Sequence, residues 1–370
     1  TLASALLANN VHLVGRSFKY HRPRGILASG SEEPNALVRV GRGAHAEPNL
    51  RATQVEIHDG LYAESQNRFP SLKCDVGAVN SALQAFFPAG FYYKTFMWPA
   101  SMWMTYEHVI RHAAGLGRVA DDHDDPDRYE RIHAHCDVLV AGGGATGIMA
   151  ALQAGRAGAR VILADEQNEF GGWLLGEADV TIDGAAPADW VAGAVAELQA
   201  MPDVTLLPRT TVFGYMDHNY LTLTERVTDH MADAPAHLPR QRLWKVRAAH
   251  TVLAQGAHER PLVFSGNDLP GVMLAGAVHR MVSRADADKA GDVAEFGDTG
   301  VGDVAVTFAI GIVAELAVQH YLLAIKLRPR FFDAYNNLAG IYMAQVGFRA
   351  LVYRGCRRYL RTHFANRPVT

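Results

Sequence analysis

A glycine-rich segment in the middle of the chain has the spacing of a phosphate-binding loop. It reads Gly142-Gly143-Gly144-Ala145-Thr146-Gly147, which fits the pattern GxGxxG. In such a loop the first glycine permits a tight turn, the second lets the backbone approach a pyrophosphate, and the third lets the following helix pack closely on the strand. The N-terminus of that helix then presents amide groups to the phosphates. The predicted dinucleotide contacts in this loop are Gly142, Gly144, Ala145, Thr146 and Gly147.

The residues on both sides of the loop have the patterns of the elements that must position it. Residues 138–141 form an apolar run typical of a buried parallel strand, residues 145–158 have helical spacing, and residues 160–164 predict a second strand. Asp165 follows that second strand, where a carboxylate can accept hydrogen bonds from ribose hydroxyl groups. Glu166 is adjacent and belongs to the predicted site. The alternative interpretation of the glycines is a purely structural turn.

The acidic residue after the second strand bears on the choice of cofactor. A carboxylate there favours NAD or FAD over NADP, because it would repel a 2′-phosphate. NAD is the first expectation and FAD the alternative. A later apolar run, Thr251–Gly256, is predicted to return to the same sheet and to place Gly256 beside the cofactor. Gln255 stands where threonine is usual before that glycine, so the local contact stays open.

Candidates for catalysis and for metal binding are few. The histidines are scattered, and no pair has a ligand spacing supported by a third group. His258 and Arg260 could contact a phosphate or a ribose, or could cap a turn. Asp217 and His218 are neighbours on a predicted hairpin, where adjacent side chains point to opposite faces. We therefore assign no catalytic residue and no metal ligand.

Composition limits the class of protein. The chain has 370 residues, 49% of them apolar, and a formal net charge of −3, as in soluble globular proteins. Its longest apolar run falls short of the ~20 residues of a membrane span. The three cysteines are far apart, which favours a reducing, cytoplasmic setting. Residues 317–370 carry nine basic residues and one acid, but the pattern of a nucleic-acid motif is missing, so nucleic acid is an unlikely partner.

Several long strings in the first 285 residues resemble the alpha subunit of heterotetrameric sarcosine oxidase. They are RSFKYHRPRGI (16–26), SGSEEPNALV (29–38), FPAGFYYKTFMWP (87–99), the segment 136–166, PRTTVFGYMDHNY (208–220) and GAHERPLVFSGNDLPGVMLAGA (256–277). The resemblance implies a ferredoxin-like N-terminal domain followed by a Rossmann-type NAD-binding domain. It also implies a beta subunit with FAD, an FMN at the alpha/beta interface, and gamma and delta subunits. Such a complex oxidises sarcosine to glycine and H2O2 and passes the one-carbon unit to tetrahydrofolate.

The chain also departs from that family. The loop 29–35, where ferredoxin-like relatives carry cysteines, contains none, so we expect no iron–sulfur cluster. The sequence begins inside the first domain, and the resemblance fades near residue 285, before the folate-binding half. We therefore expect an isolated chain to be inactive, with amine oxidation at a partner subunit's flavin.

The C-terminal part resembles a different family. Ala317, Tyr321, Ala324 and Pro329, followed by Tyr335, Leu338, Ala339 and Tyr342, have the spacing of a tetratricopeptide repeat. About one repeat is present, whereas stable stacking takes about three. The segment is predicted to form two helices, either as an interaction module or as a joined segment without a function of its own.

Together these patterns predict an α/β protein with a truncated, cluster-less ferredoxin-like α+β domain, a Rossmann-type FAD/NAD(P)-binding domain and a short helical end. The predicted segments are 1–120 (ferredoxin-like), 121–135 (charged linker), 136–285 (dinucleotide-binding), 286–316 (connector), 317–343 (tetratricopeptide-like) and 344–370 (basic tail). The alternatives to a cofactor-binding subunit are a protein-interaction chain and an inactive composite.

Overall fold

The computed structural model describes residues 1–86, 98–113, 115, 117, 119–120, 123–177, 180–261 and 263–283. Residues 1–261 and 265–284 form one compact unit, and the fold below is the fold of that unit. A second unit consists of residues 262–264 and 285–370, of which 263 and 264 are described. The predicted segments 286–316, 317–343 and 344–370 therefore lie outside the described residues, as does most of the aromatic string 87–99.

A six-stranded mixed sheet carries the glycine loop. Its strand order is β8-β7-β6-β11-β10-β9. Neighbouring strands among β8, β7, β6 and β11 are parallel, and β10 is antiparallel to both β11 and β9. The strands are β6 (Tyr129–Ala141), β7 (Val161–Ala164), β8 (Val204–Leu207), β9 (Thr210–Met216), β10 (Tyr220–Arg226) and β11 (Gln241–Leu253).

Two helices pack against the parallel half of this sheet. They are α4 (Ala145–Arg156) and α5 (Pro187–Ala200), and Pro187 begins α5 at a position where its missing N–H costs nothing. Buried apolar residues of both helices meet those of β6 and β7 in one core cluster, with Ile148 and Leu198 fully buried. A second cluster covers the other face of the sheet through Leu139, Leu221 and Val246. The strand–helix–strand unit predicted around the glycine loop is thus present.

The N-terminal part is smaller and more irregular. It has a two-stranded and a three-stranded sheet, the latter in the order β4-β3-β5. Its apolar core includes Val14, Ile26 and Val38. The elements are α1 (Leu2–Ala8), β1 (Gly15–Arg16), β2 (Pro23–Arg24), β3 (Leu37–Val40), β4 (Glu47–Arg51), β5 (Ala63–Ser65), α2 (Val79–Ala82) and α3 (Trp103–Ala113). A further helix, α6 (Ala275–Ser283), follows the large sheet.

Two arginines, each just before a strand of the large sheet, form ion pairs with the N-terminal part. Arg209 donates two hydrogen bonds to the Glu56 carboxylate, each 2.8 Å long. Arg240 contacts three carboxylates, those of Glu47, Asp127 and Asp229. Glu47 belongs to β4 of the N-terminal part, whereas Asp127 comes just before β6 and Arg240 just before β11. Arg240 therefore connects the N-terminal part to the beginning of these two strands.

The structure corrects the boundary of the charged linker. Residues 129–135, which the sequence assigns to the linker, are the first half of β6. They pair in parallel with the first half of β11, from Tyr129 opposite Gln241 to His135 opposite Arg247. Their side chains are mostly exposed, so hydropathy gives no sign of this strand. The strand predicted from the apolar run alone is therefore only the buried end of a longer one.

Candidate functional site

The glycine loop lies between the end of β6 and the start of α4. Gly142 has a φ of +105°, and a Cβ atom there would stand 2.3 Å from the carbonyl oxygen of Ala254. A Cβ atom on Gly147 would stand 1.8 Å from the carbonyl oxygen of Gly142. A Cβ atom on Gly144 would meet nothing within 4 Å. Glycine is therefore required at positions 142 and 147 by the close packing of the backbone, whereas the space next to Gly144 is open.

That open space adjoins the N-terminus of α4. Gly144 is the N-cap residue, and no side chain caps the helix there. The first two helical residues, Ala145 and Thr146, are exposed. A helix start of this kind offers amide hydrogens and a positive dipole end to an anion. The loop therefore has the form of a pyrophosphate cradle that a side chain at position 144 would fill.

Asp165 lies against the loop. Its Oδ2 atom accepts a hydrogen bond from the Gly143 amide at 2.5 Å, and its Oδ1 atom accepts one from the Gln167 amide at 2.8 Å. Burial raises the pKa of this carboxyl above 3.8, and the two amide hydrogen bonds act in the opposite direction. Each carboxylate oxygen has a further lone pair, so the group can still accept hydrogen bonds from a ribose.

Glu166 lies apart from the loop. Its side chain lines a small cavity together with residues of the N-terminal part, including Thr53 and Glu56. Its backbone carbonyl accepts a hydrogen bond from Arg226 at 2.8 Å. The two neighbouring acids therefore have different surroundings, and the structure brings Asp165, but not Glu166, to the glycines.

The segment after β11 reaches the loop at an earlier residue than predicted. A Cβ atom on Gly142 would lie within 3.1 Å of the Gln255 Cα atom, so the backbone at 254–255 borders the loop. Gly256 is exposed, with a φ of +71° and open space where a Cβ atom would be. His258 and Arg260 are exposed as well. The returning strand, β11, begins earlier than predicted and ends at Leu253, and a contact for Gly256 is still a prediction.

Three features near the loop escaped the sequence analysis. The Gly171 amide donates to the Gly143 carbonyl at 2.7 Å, and Phe170 packs against Gly143. Trp173 lies under the Arg280 guanidinium of α6, 5.9 Å from ring centre to guanidinium carbon. Glu259 accepts hydrogen bonds from the Ala275 and Gly276 amides, at 3.1 and 2.7 Å, where α6 begins. The Gly171-Gly172 pair after the second strand was the available signal.

The other candidates remain dispersed. Asp217 and His218 lie in the turn between β9 and β10, where His218 has a φ of +59°. Within the described part of the chain, no three His, Cys, Asp or Glu residues are grouped so that they could hold a metal ion. The search of the same residues for a helix long and apolar enough to cross a membrane found none.

Two protein families match parts of the chain. Residues 137–258 match the FAD-dependent oxidoreductases, and residues 1–68 match a 2Fe-2S iron–sulfur cluster binding domain. The first match contains the glycine loop, Asp165 and β11. The description of that family names FAD, the alternative that the sequence analysis gave, and the expectation of NAD is not confirmed.

The second match overturns the expectation that the N-terminal domain is cluster-less, since it indicates an iron–sulfur cluster-binding domain. Such clusters are held by cysteine thiolates, with histidines in some. Residues 1–68 contain no cysteine, and of the described cysteines Cys74 is exposed and Cys136 is buried in the large sheet. The thiolates of a usual cluster site are therefore not supplied by the matched segment, and we derive no chemical step through a cluster.

Two relatives with high sequence identity to this chain carry the same protein name. The chain is 59% identical over 285 residues to the sarcosine oxidase subunit alpha of Rhizobium meliloti, covering 77% of this chain and 29% of that protein. It is 40% identical over 289 residues to the subunit of the same name from Corynebacterium, covering 25% of that protein. The chain thus spans less than a third of the length of these curated relatives.

A solved structure, L-proline dehydrogenase from P. horikoshii, superposes with a TM-score of 0.48 at 19% identity, over 77% of this chain and 43% of that one. Over about three quarters of its length the chain is a homologue of the sarcosine oxidase alpha subunit, and residues 137–258 match the FAD-dependent oxidoreductases.

Proposed function

We propose that this chain is the dinucleotide-binding part of an oxidoreductase subunit and that it holds FAD by its ADP moiety at the glycine loop. The observation that carries the proposal is the difference between the glycines. A Cβ atom on Gly142 or Gly147 would collide with backbone atoms, whereas a Cβ atom on Gly144 would enter open space. That space lies at an uncapped helix N-terminus with Asp165 beside it.

Each residue has a distinct part in this proposal. The first turn of α4, with Ala145 and Thr146, would face the pyrophosphate. Asp165 would accept hydrogen bonds from the adenosine ribose, held in place by its own bonds to the Gly143 and Gln167 amides. Phe170 would hold the loop from beneath through its contact with Gly143. Bound FAD supplies two-electron oxidation chemistry, which the side chains of this chain do not have.

The substrate and the partners follow from the relatives. Those at 59% and 40% identity are named as alpha subunits of sarcosine oxidase. We infer that this chain works in a complex with beta, gamma and delta subunits that oxidises sarcosine to glycine and H2O2, with amine oxidation at a partner subunit's flavin. We include transfer of the one-carbon unit to tetrahydrofolate in the proposed activity of that complex.

The test is a titration of the purified chain with FAD, followed by flavin fluorescence or calorimetry. Gly144→Val should weaken binding at least a hundredfold, because its side chain fills the space of the pyrophosphate. Gly193→Val is the matched control, since Gly193 is an exposed glycine of α5 whose Cβ atom would also meet nothing within 4 Å. Unchanged affinity in a folded Gly144→Val variant would refute the assignment.

The same titration addresses the alternative of an inactive composite, which predicts no saturable FAD binding by the wild-type chain. The alternative of an interaction chain depends on residues 317–343, which lie outside the described residues. It would be supported by a binding partner that is lost when residues 317–370 are deleted.

A further inference from the structure

A cavity in the N-terminal part has no place in the proposed function. It lies beside β1 and β3, has a volume of about 230 Å³, and is lined by residues between 15 and 67. None of these residues belongs to the glycine loop or its surroundings. A protein cavity of ~150 Å³ can hold benzene, so this one has room for roughly nine non-hydrogen atoms.

The charged groups that line the cavity are cationic. Arg16 and Arg24 line it, and no Asp or Glu does. Arg24 pairs with the Asp268 carboxylate, 2.6 Å away, and Asp268 also pairs with Arg22, at 2.9 Å. Arg16 has no such partner: across the part of the chain that the structure describes, no carboxylate forms an ion pair with it. Among the described residues that line the cavity, Arg16 is therefore the cation that an anionic ligand can pair with.

The hydrogen bonds of Arg16 leave part of its guanidinium available. Its Nε and Nη2 groups donate to the Leu72 carbonyl and its Nη1 group to the His21 carbonyl, at 3.0 Å. These bonds use three of the five N–H groups of an arginine. The Asn67 amide in turn donates to the carbonyls of Arg16 and Ser17, which fixes the backbone that carries the guanidinium. The cation is thus held in position with donors to spare.

The rest of the lining suits a small organic anion. The side-chain amide of Asn35 makes no hydrogen bond within the described residues, and it is half-buried at the cavity. Leu37 and Pro34 supply apolar walls. Burial removes water from the guanidinium of Arg16, and an anion bound beside it would compensate for that loss of hydration. The hydrogen bonds between an arginine and a carboxylate are also stronger than neutral ones, because both groups are charged.

We propose that this cavity is a second binding site, separate from the glycine loop, for a small monocarboxylate with a short apolar body. The carboxylate pairs with Arg16, the Asn35 amide donates to it, and the apolar body lies on Leu37 and Pro34. The negative charge pairs with the Arg16 guanidinium, and an apolar body of about three carbons fits the volume.

The probe is butyrate, measured by calorimetry with the full chain, and butyramide is the neutral analogue of the same shape. Arg16→Ala is the obvious variant, but it also removes the bonds to Leu72 and His21 and could unfold the segment. Asn35→Asp is the sharper variant, because the Asn35 side chain has no bond to lose and an aspartate places a negative charge in the cavity. Gln153→Glu adds the same charge at an exposed position of α4 and is the matched control.

We expect saturable butyrate binding that Asn35→Asp weakens at least tenfold and that Gln153→Glu changes less than twofold, with no binding of butyramide. The melting temperature of Asn35→Asp should stay close to that of the wild type, which shows that the loss is not unfolding. No saturable binding, equal binding by Asn35→Asp, or equal binding of butyramide would overturn the proposal. Binding of inorganic phosphate in place of butyrate would overturn the carboxylate assignment.

Discussion

Gly144 and Gly147 are three residues apart, yet an added methyl group meets different surroundings at the two positions. At Gly147 it would stand 1.8 Å from the Gly142 carbonyl oxygen, and that atom is backbone and cannot move aside cheaply. We therefore expect Gly147→Ala to lower the free energy of unfolding by about 3 kcal/mol. Urea denaturation of the purified variant measures this loss.

The control is Gly144→Ala. Its methyl group would enter open space at a φ of −75°, which any residue adopts, so the free energy of unfolding should change by less than about 1 kcal/mol. Its FAD affinity should nevertheless fall. Equal destabilisation by the two substitutions would contradict the division between a glycine for packing and a glycine for the ligand.

The buried position of Asp165 has a consequence for pH. Burial raises the pKa of this carboxyl above 3.8, so the folded chain holds the proton at pH values where the unfolded chain has lost it. The stabilisation from protonation is complete near and below pH 3.8 and is lost as the pH rises through the raised pKa. The wild type should therefore lose stability relative to Asp165→Asn as the pH rises above about 4.

The measurement is the difference in the free energy of unfolding between wild type and Asp165→Asn at several pH values in that range. A difference that stays constant with pH would show that Asp165 does not titrate as its burial implies. Asp183→Asn, which removes an exposed carboxylate in a turn, is the control for the loss of one charge.

The sequence predicted the part of the site that is local in the chain. The glycine spacing and the acid after the second strand depend on one strand–helix–strand unit, so their positions follow from hydropathy and from the needs of the backbone. Trp173 and Glu259 could not be predicted this way, because their places depend on α6, which comes about a hundred residues after Trp173. Such contacts depend on tertiary packing, which periodicity does not reveal.

Among the local elements, the loop before β3 is organised by one buried carboxylate. Glu33 is 1% exposed, and each of its two oxygens accepts two backbone N–H groups. The donors are Leu27 and Ala28 for Oε2, at 2.7 Å each, and Asn35 and Ala36 for Oε1, at 2.7 and 3.0 Å. Glu33→Gln would turn one acceptor into a donor that faces two amides, and we expect a loss of about 3 kcal/mol in the free energy of unfolding.

The neighbouring residue is the control for that substitution. Glu32 accepts one backbone hydrogen bond, from Ser29 at 3.4 Å, and is only half-buried. Glu32→Gln removes the same charge with little loss of hydrogen bonding, so its melting temperature should stay near that of the wild type. Similar losses for the two variants would show that net charge, rather than the four amide bonds, explains the effect.

The strands show where element prediction succeeds and where it fails. The buried end of β6 was predicted because Leu139, Val140 and Ala141 are apolar and almost fully buried. Its first half was taken as a linker, because the side chains of residues 129–135 face solvent. Backbone pairing with β11 and an ion pair between Arg242 and Glu130 hold that half in the sheet. Neither interaction leaves a hydropathy signal in the sequence.

On the scale of the whole molecule, the N-terminal part and the large sheet are joined by the Arg209–Glu56 ion pair. Both of its hydrogen bonds measure 2.8 Å, and both side chains are less than a quarter exposed. A double-mutant cycle with Arg209→Met and Glu56→Gln should give a coupling free energy of about 1–2 kcal/mol in thermal or urea unfolding. Arg156 and Glu197 form a bidentate pair of similar geometry between exposed side chains of α4 and α5.

The exposed pair is the matched control, because solvent screens its charges and its coupling should be smaller. Equal coupling for the two pairs would mean that the Arg209–Glu56 pair contributes no more than a surface ion pair.

The last prediction tests the proposal that amine oxidation occurs on a partner subunit. The chain spans less than a third of its sarcosine oxidase relatives, and none of its residues is assigned to amine oxidation. We therefore expect the purified chain, with or without added FAD, to release no H2O2 from sarcosine in a peroxidase-coupled assay that detects added H2O2. The positive control is the sarcosine oxidase that contains the 59% identical alpha subunit of Rhizobium meliloti. If the isolated chain turns over sarcosine, amine oxidation occurs on this chain itself, and the placement of the chemistry on a partner subunit is wrong.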